Sequence, residues 1–206
     1  MKGRRWAGAI LAAAISIAVA GAARVQDASA ADKEKARALL ESSKKGVLAA
    51  TKGLSEAQWN FKPAPDRWSI AECMEHIAAA EDFIRGMIEE NVMKAPAAPD
   101  RDIAKIDAGI LANVPDRTAN KAQAPEPLKP TNRFGSPEAS IKHFVESRAT
   151  TEEFLKKTAD LRGHAVDSPA GGKWDAFEFI LLIGAHSERH TKQIEEVKAS
   201  PGYPAK

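Results

Sequence analysis

Apolar residues recur along most of this chain at three- and four-residue intervals, the period of a helix with one buried face. In the first such segment, from about Asp32 to Lys52, Ala36, Leu39, Leu40, Val47 and Leu48 share a face, Asp32 is placed to cap the start and Gly53 to stop it. Residues 54–68 hold Pro63, Pro65, Trp59, Phe61 and Trp68, too many breakers for a helix but enough aromatic area to close one end of a core. The second segment opens with a full start signal: Ser69 as cap, Glu72 three residues on, and Trp68 positioned to pack on Cys73. From there Cys73, His76, Ile77, Ala80, Phe83, Ile84, Met87 and Ile88 follow the helical period to Lys94, before Pro96 and Pro99. The third starts at Ser136 with Pro137 in its first turn and runs to about Arg162, its stripe carrying Ile141, Phe144, Val145, Arg148, Thr151 and Leu155. The fourth is announced by Asp175, Glu178 and a Trp174–Phe179 staple, and Phe179, Leu182, Ile183, His186, His190, Ile194 and Val197 line one face up to Ser200-Pro201.

Between the second and third segments, residues 95–135 are rich in Pro and Ala, with one short helical stretch around Asp100 to Asn113. A connection well beyond roughly 15 residues is functional or disordered; as a lid it would cover a site, as a crossover it would let the third helix lie parallel to the second. No alternating strand pattern competes, so the expected architecture is all-α, a four-helix bundle with a long connection between helices two and three.

The first 30 residues are of another kind. Lys2, Arg4 and Arg5 precede an apolar run from Ala7 to Ala20, and small residues lead to Ala28-Ser29-Ala30. The run is too short to span a bilayer, so residues 1–30 read as a secretory signal peptide cut after Ala30, leaving an exported, periplasmic or secreted domain over 31–206. The Arg4-Arg5 pair is a poor match to the twin-arginine export signal. Removing Lys2, Arg4, Arg5, Arg24 and Asp27, four basic residues and one acidic, turns the formal charge of +2 into −1. A near-neutral chain without a basic run offers no electrostatic footprint for nucleic acid, and no membrane association is expected once the signal is removed. The single cysteine, Cys73, excludes an internal disulfide framework.

The chemistry concentrates in histidines. Residues four apart on a helix are offset by about 40°, so His186 and His190 project the same way and can chelate one ion; His76 lies on the apolar stripe of the second helix, where an imidazole needs a partner for its buried nitrogens. Three imidazoles suit a divalent transition metal and leave a coordination position for water or substrate. The string His186-Ser187-Glu188-Arg189-His190 is not the zinc-protease motif, which has glutamate directly after the first histidine; Glu188 is about 200° round the helix.

The run Trp68-Ser69-Ile70-Ala71-Glu72-Cys73-Met74-Glu75-His76-Ile77, followed far downstream by His186-Ser187-Glu188-Arg189-His190-Thr191-Lys192-Gln193-Ile194-Glu195-Glu196-Val197, closely resembles the DinB-like superfamily. The resemblance covers essentially all of the chain after the signal. It implies a four-helix bundle with a long connection between helices two and three, and a divalent metal, zinc or nickel, held by His76, His186 and His190. Such proteins share scaffold more than activity: some are thiol-dependent transferases or isomerases, many are regarded as metal-dependent hydrolases. The export signal departs from the thiol-dependent branch, whose cosubstrates are cytosolic.

Further residues carry two readings each. Gln193, seven beyond His186, either orients an imidazole or bound water or is an exposed polar residue. Arg148 either binds an anionic substrate group or forms a partly buried ion pair with Glu152 or another helix. Cys73 as a fourth ligand is disfavoured, His143 and His164 read as solvated, and Glu75 does not share a helix face with His76, so no carboxylate stands out as a general base. The function this supports is an exported metal-dependent hydrolase acting on an unidentified small molecule, with a homodimer left open. The alternatives are a non-catalytic metal- or ligand-binding bundle, and a bundle whose histidines are buried polar residues without an ion.

Overall fold

Each long helix begins where a side chain can take up the first free backbone N–H groups. In the computed structural model, which describes residues 27–118 and 123–205, these are α1 (Ala30–Thr51), α2 (Glu56–Asn60), α3 (Ile70–Glu90), α4 (Ile103–Asn113), α5 (Pro137–Lys157) and α6 (Ala176–Lys198), with strands β1 (Ala165–Asp167) and β2 (Lys173–Asp175). Reciprocal capping boxes join Ser69 to Glu72 and Asp175 to Glu178, as the sequence leads one to expect. On α1 the cap is Ser29, and Asp32 is the third residue of the box rather than the cap itself. The folded unit reaches back to Asp27, which pairs with Lys33 at 2.9 Å, and to the buried Ala28. A cut after Ala30 would thus remove the α1 cap. Most of the expected signal peptide, residues 1–26, lies outside the described residues.

Two elements and two helix ends differ from expectation. Ser55 and Gln58 form a capping box that supports the short helix α2 inside the stretch expected to be irregular. Helix α3 stops at Glu90 and tightens into a 3-10 turn over Val92–Lys94, and α5 stops at Lys157 instead of continuing to Arg162. The segment before α6 contains an antiparallel hairpin pairing Ala165 with Asp175, Val166 with Trp174 and Asp167 with Lys173. Three-residue strands are too short to show alternation, and the turn rests on Gly171 and Gly172 at φ 88° and 73°.

The bundle consists of α1, α3, α5 and α6, and cross-contacts give its directions. Gly46 faces Thr191 and Gly184 faces Leu39, so α1 and α6 run parallel. Lys33 reaches Thr158 while Lys44 reaches Glu152, so α1 and α5 are antiparallel; His76 meets His186 while Trp68 packs on His190, so α3 and α6 are antiparallel. Helix α5 is therefore parallel to α3, the arrangement a long crossover permits. That crossover is not a passive linker. Arg101 donates to Asp175 at 2.6 Å and Glu178 at 2.7 Å, Asp107 pairs with Arg162 at 2.6 Å, and Ile110 and Leu128 are buried.

The apolar interior falls into two clusters. One contains Leu40, Ile84, Ile88, Phe179, Ile180 and Ile183; the other Val47, Ile70, Cys73, Met74, Ile77, Phe144 and Ile194. Between them lies a polar layer in which buried Arg148 and Glu81 pair across α5 and α3, level with the histidines. Among the described residues no helix is long and apolar enough to cross a membrane.

Candidate metal centre

Antiparallel packing of α3 on α6 brings His76 beside the two histidines one turn apart on α6. Nε2 of His76 lies 3.0 Å from Nε2 of His186, which lies 3.1 Å from Nε2 of His190. The three ligand atoms are all within 4.8 Å of one another. Nitrogens bound to one tetrahedral ion at about 2.1 Å would sit about 3.4 Å apart, so the spacing needs little adjustment to accept one. His76 and His190 are buried and His186 keeps a solvent-facing edge.

The outer nitrogens decide what the inner ones can do. His76 Nδ1 is 2.8 Å from the carbonyl of Leu128. A carbonyl only accepts, so Nδ1 carries the proton and Nε2 presents a lone pair. His190 Nδ1 is 2.8 Å from Gln193 Oε1, with the same result. Gln193 thus orients an imidazole, one of the two roles its spacing suggested. Burial holds His76 below the ordinary histidine range, against the pull of the Leu128 carbonyl toward the charged form. His186 and His190 are pushed well below it, first by burial and then by the neighbouring imidazoles. All three are neutral, ligand-competent bases at pH 7.

Trp68 walls one side, its ring centroid 4.8 Å from that of His76 and 6.2 Å from that of His190. The chain that presents the Leu128 carbonyl is itself held by Glu75. This carboxylate accepts from the backbone N–H groups of Thr131 at 2.7 Å, Asn132 at 2.8 Å and Arg133 at 3.2 Å, and from Arg133 Nε at 3.1 Å. Burial alone would raise the Glu75 pKa, yet these donors bring it below the usual carboxylate range. Glu75 points away from the histidines, as helix geometry requires, and works as an anchor for the long connection. The groove of about 790 Å³ lined by Trp59, Lys62, Glu72, Glu75, Thr131 and Asn132 contains none of the three histidines.

Other candidates resolve differently. Arg148 is fully buried and its five N–H groups are used: on Glu81 from both Nε and Nη2, on Ser187 Oγ and Ser43 Oγ at 2.9 Å, and on the Leu40 carbonyl at 2.5 Å. No donor remains for an anionic substrate, and the partner is Glu81, not Glu152, which pairs with Lys44. Cys73 lies in the apolar cluster outside the ligand group, and burial pushes its thiol up to about 12. His143 and His164 are not simply solvated: His143 contacts Asp82 at 2.5 Å and stacks on Phe134, while His164 bonds the Ala95 carbonyl at 2.5 Å and pairs with Asp160.

The model of the DinB superfamily matches residues 39–194. This chain belongs to the DinB superfamily. One relative and one solved structure are similar to it. An uncharacterized protein, YuaE of Bacillus subtilis strain 168, is 30% identical over 149 residues, spanning 71% of this chain and 87% of YuaE. The fold is similar to that of YfiT from Bacillus subtilis, with a TM-score of 0.55 at 15% identity, covering 86% of this chain and 91% of YfiT. YfiT is described as "a probable metal-dependent hydrolase with an unusual four-helix bundle topology". In this DinB-superfamily member the residues that sequence reasoning missed, the Leu128 carbonyl, the Glu75 anchor and Arg117 beside Gln193, all involve the connection. The one local signal was Thr131-Asn132-Arg133, where Asn132 takes a left-handed turn at φ 61° that aims successive N–H groups at one anion.

Proposed function

We propose that this protein is an exported, divalent-metal-dependent hydrolase of the DinB superfamily, with His76, His186 and His190 as the metal ligands and zinc or nickel as the ion. The observation that carries the reading is the convergence of three Nε2 atoms, two of them stripped of a proton by acceptors fixed behind the rings. A buried cluster of lone pairs facing one another is repulsive unless a cation or a proton stands between them. The resemblance in fold to YfiT, with its stated metal-dependent chemistry, points the same way.

A divalent ion there supplies Lewis-acid activation of water and of a carbonyl or phosphoryl group. The chain's own contribution is orientation and exclusion. Leu128 and Gln193 hold two rings in the ligating tautomer, and Trp68 keeps water from one flank. Among the described residues no carboxylate joins the histidine group. That feature also supports a second reading, a non-catalytic metal- or small-ligand-binding bundle. Export rests on the basic start and the Ala7–Ala20 run. The substrate is proposed as a small molecule, with neither nucleic acid nor membrane as partner.

Metal analysis of the purified protein followed by turnover assays on ester, amide and phosphate panels, with and without chelator, separates the readings. Near-stoichiometric metal and chelator-sensitive turnover are expected, both lost in His186→Ala. Metal without turnover supports the binding bundle, and turnover that survives both chelator and His186→Ala overturns the metal mechanism.

A further inference from the structure

Gln193 can fix the His190 tautomer only if its carboxamide is turned the right way. A carboxamide has an accepting oxygen and a donating nitrogen of nearly equal size. With oxygen toward His190 Nδ1, that nitrogen keeps its proton and Nε2 is free to ligate. With the amide nitrogen there instead, Nδ1 must accept, the proton moves to Nε2, and the ligand is lost. Something has to choose between the two.

The geometry points to Arg117, on the connection between α4 and α5, as the positioning residue that makes this choice. Arg117 Nη1 donates to Gln193 Oε1 at 3.2 Å, and that same oxygen faces His190 Nδ1 at 2.8 Å. A guanidinium has no acceptor, so only the oxygen of the carboxamide can face it. Arg117 is itself held on α6 by Glu196, three residues after Gln193, through paired bonds from Nε at 2.7 Å and Nη2 at 2.8 Å. Such a fork fixes the guanidinium plane, which a lysine at this position would not. The backbone just before it is pinned to the same helix: Arg189 donates to the carbonyls of Val114 and Asp116, and Lys192 to that of Pro115 at 3.1 Å. The relay Glu196–Arg117–Gln193–His190 makes the second crossing of the connection a determinant of the site, as the Leu128 carbonyl is of His76. Arg117 donates no hydrogen bond to any of the three histidines; its hydrogen bonding reaches His190 through Gln193, and its charge adds a lesser pull against protonation of that ring.

The consequence for metal affinity rests on the function proposed above; the consequence for the tautomer does not. The test uses the full chain, ¹⁵N-labelled, metal-stripped and held at pH 8, where long-range ¹H–¹⁵N correlations distinguish Nδ1–H from Nε2–H in His190. Wild type is expected to show Nδ1–H. Arg117→Ala should shift a substantial share to Nε2–H and weaken zinc binding, read by competition with a chromophoric chelator, by about tenfold, the lower end of what loss of an outer partner costs. In a Gln193→Glu background both faces of the side chain are oxygens, so adding Arg117→Ala should leave His190 as Nδ1–H and change zinc affinity by less than about twofold. Glu196→Ala, which frees Arg117 from its other side, should move both readouts in the direction of Arg117→Ala. An unchanged His190 in Arg117→Ala overturns the assignment, as does an equal disturbance in both backgrounds, which would mean general loosening of the connection. Wild-type protein that takes up no zinc while His190 responds to Arg117→Ala would overturn the metal reading and leave Arg117 in place.

Discussion

Arg148→Met tests whether the buried guanidinium supports the fold instead of binding substrate. Arg148 is 0% exposed and Glu81 is 2% exposed. Removing the guanidinium leaves the Glu81 carboxylate with Thr151 Oγ1, at 3.4 Å, as its remaining hydrogen-bond donor, and burial already pushes the Glu81 pKa up against the pull of Arg148. Breaking one side of such a pair costs about 3–5 kcal/mol, mostly the uncompensated charge left behind. With a urea slope of about 2 kcal/mol per molar, the unfolding midpoint should fall by roughly 2 M. The double variant Arg148→Met/Glu81→Leu removes the stranded charge and should recover most of that loss, since replacing a whole buried pair by apolar groups is often neutral or better. Urea titrations of wild type, both single variants and the double variant give the coupling directly. A single variant within about 1 kcal/mol of wild type, or a double variant no better than the single, would refute the reasoning.

Three further outcomes follow from the same structure. Glu75→Ala leaves three backbone N–H groups without their acceptor, at about 1–3 kcal/mol; hydrogen exchange at residues 131–133 should accelerate, and protection unchanged there would remove Glu75 as the anchor. In metal-free protein the histidines have folded pKa values below 6.5, so the unfolded chain takes up protons first as the solution is acidified. Stability is therefore full above about pH 6.5 and declines below it, by up to about 1.4 kcal/mol per pH unit for each histidine; His76→Leu should flatten that slope by one histidine's share, and an unaltered slope in urea titrations from pH 8 to 4.5 would contradict it. Gly86→Ala adds a methyl with nothing within 4 Å and should stabilise α3 by about 1 kcal/mol, whereas Gly184→Ala drives a methyl to 2.6 Å from Leu39 Cγ and should forfeit that gain to overpacking, a contrast thermal unfolding can read.

Much of this molecule was legible along the chain because it depends on neighbours in sequence. Period-3.6 stripes, the Ser69/Glu72 and Asp175/Glu178 boxes, and the i, i+4 pair His186 and His190 are local properties, and the structure reproduces them except at Phe83 and Val145, which sit at the edges of their stripes and are exposed. Where local rules are weakest the expectation slipped: three-residue strands, a five-residue helix, and a cap at Ser29 set by which residue first turns helical. Arg148 reads identically as an anion binder or an ion-pair partner until Glu81, 67 residues away, is seen to use its donors. The same holds for the centre itself. Sequence could place His76 on a buried face, but only the antiparallel packing of α3 on α6 puts it against His186. The carbonyl of Leu128, with nothing in its residue type to announce it, and the Arg117–Gln193 contact select the nitrogen left free on two of the three rings. Residue identity sets which chemistry is available; which lone pair is offered depends on hydrogen-bond partners that arrive from distant chain, and those exist only once the connection has folded back over the bundle.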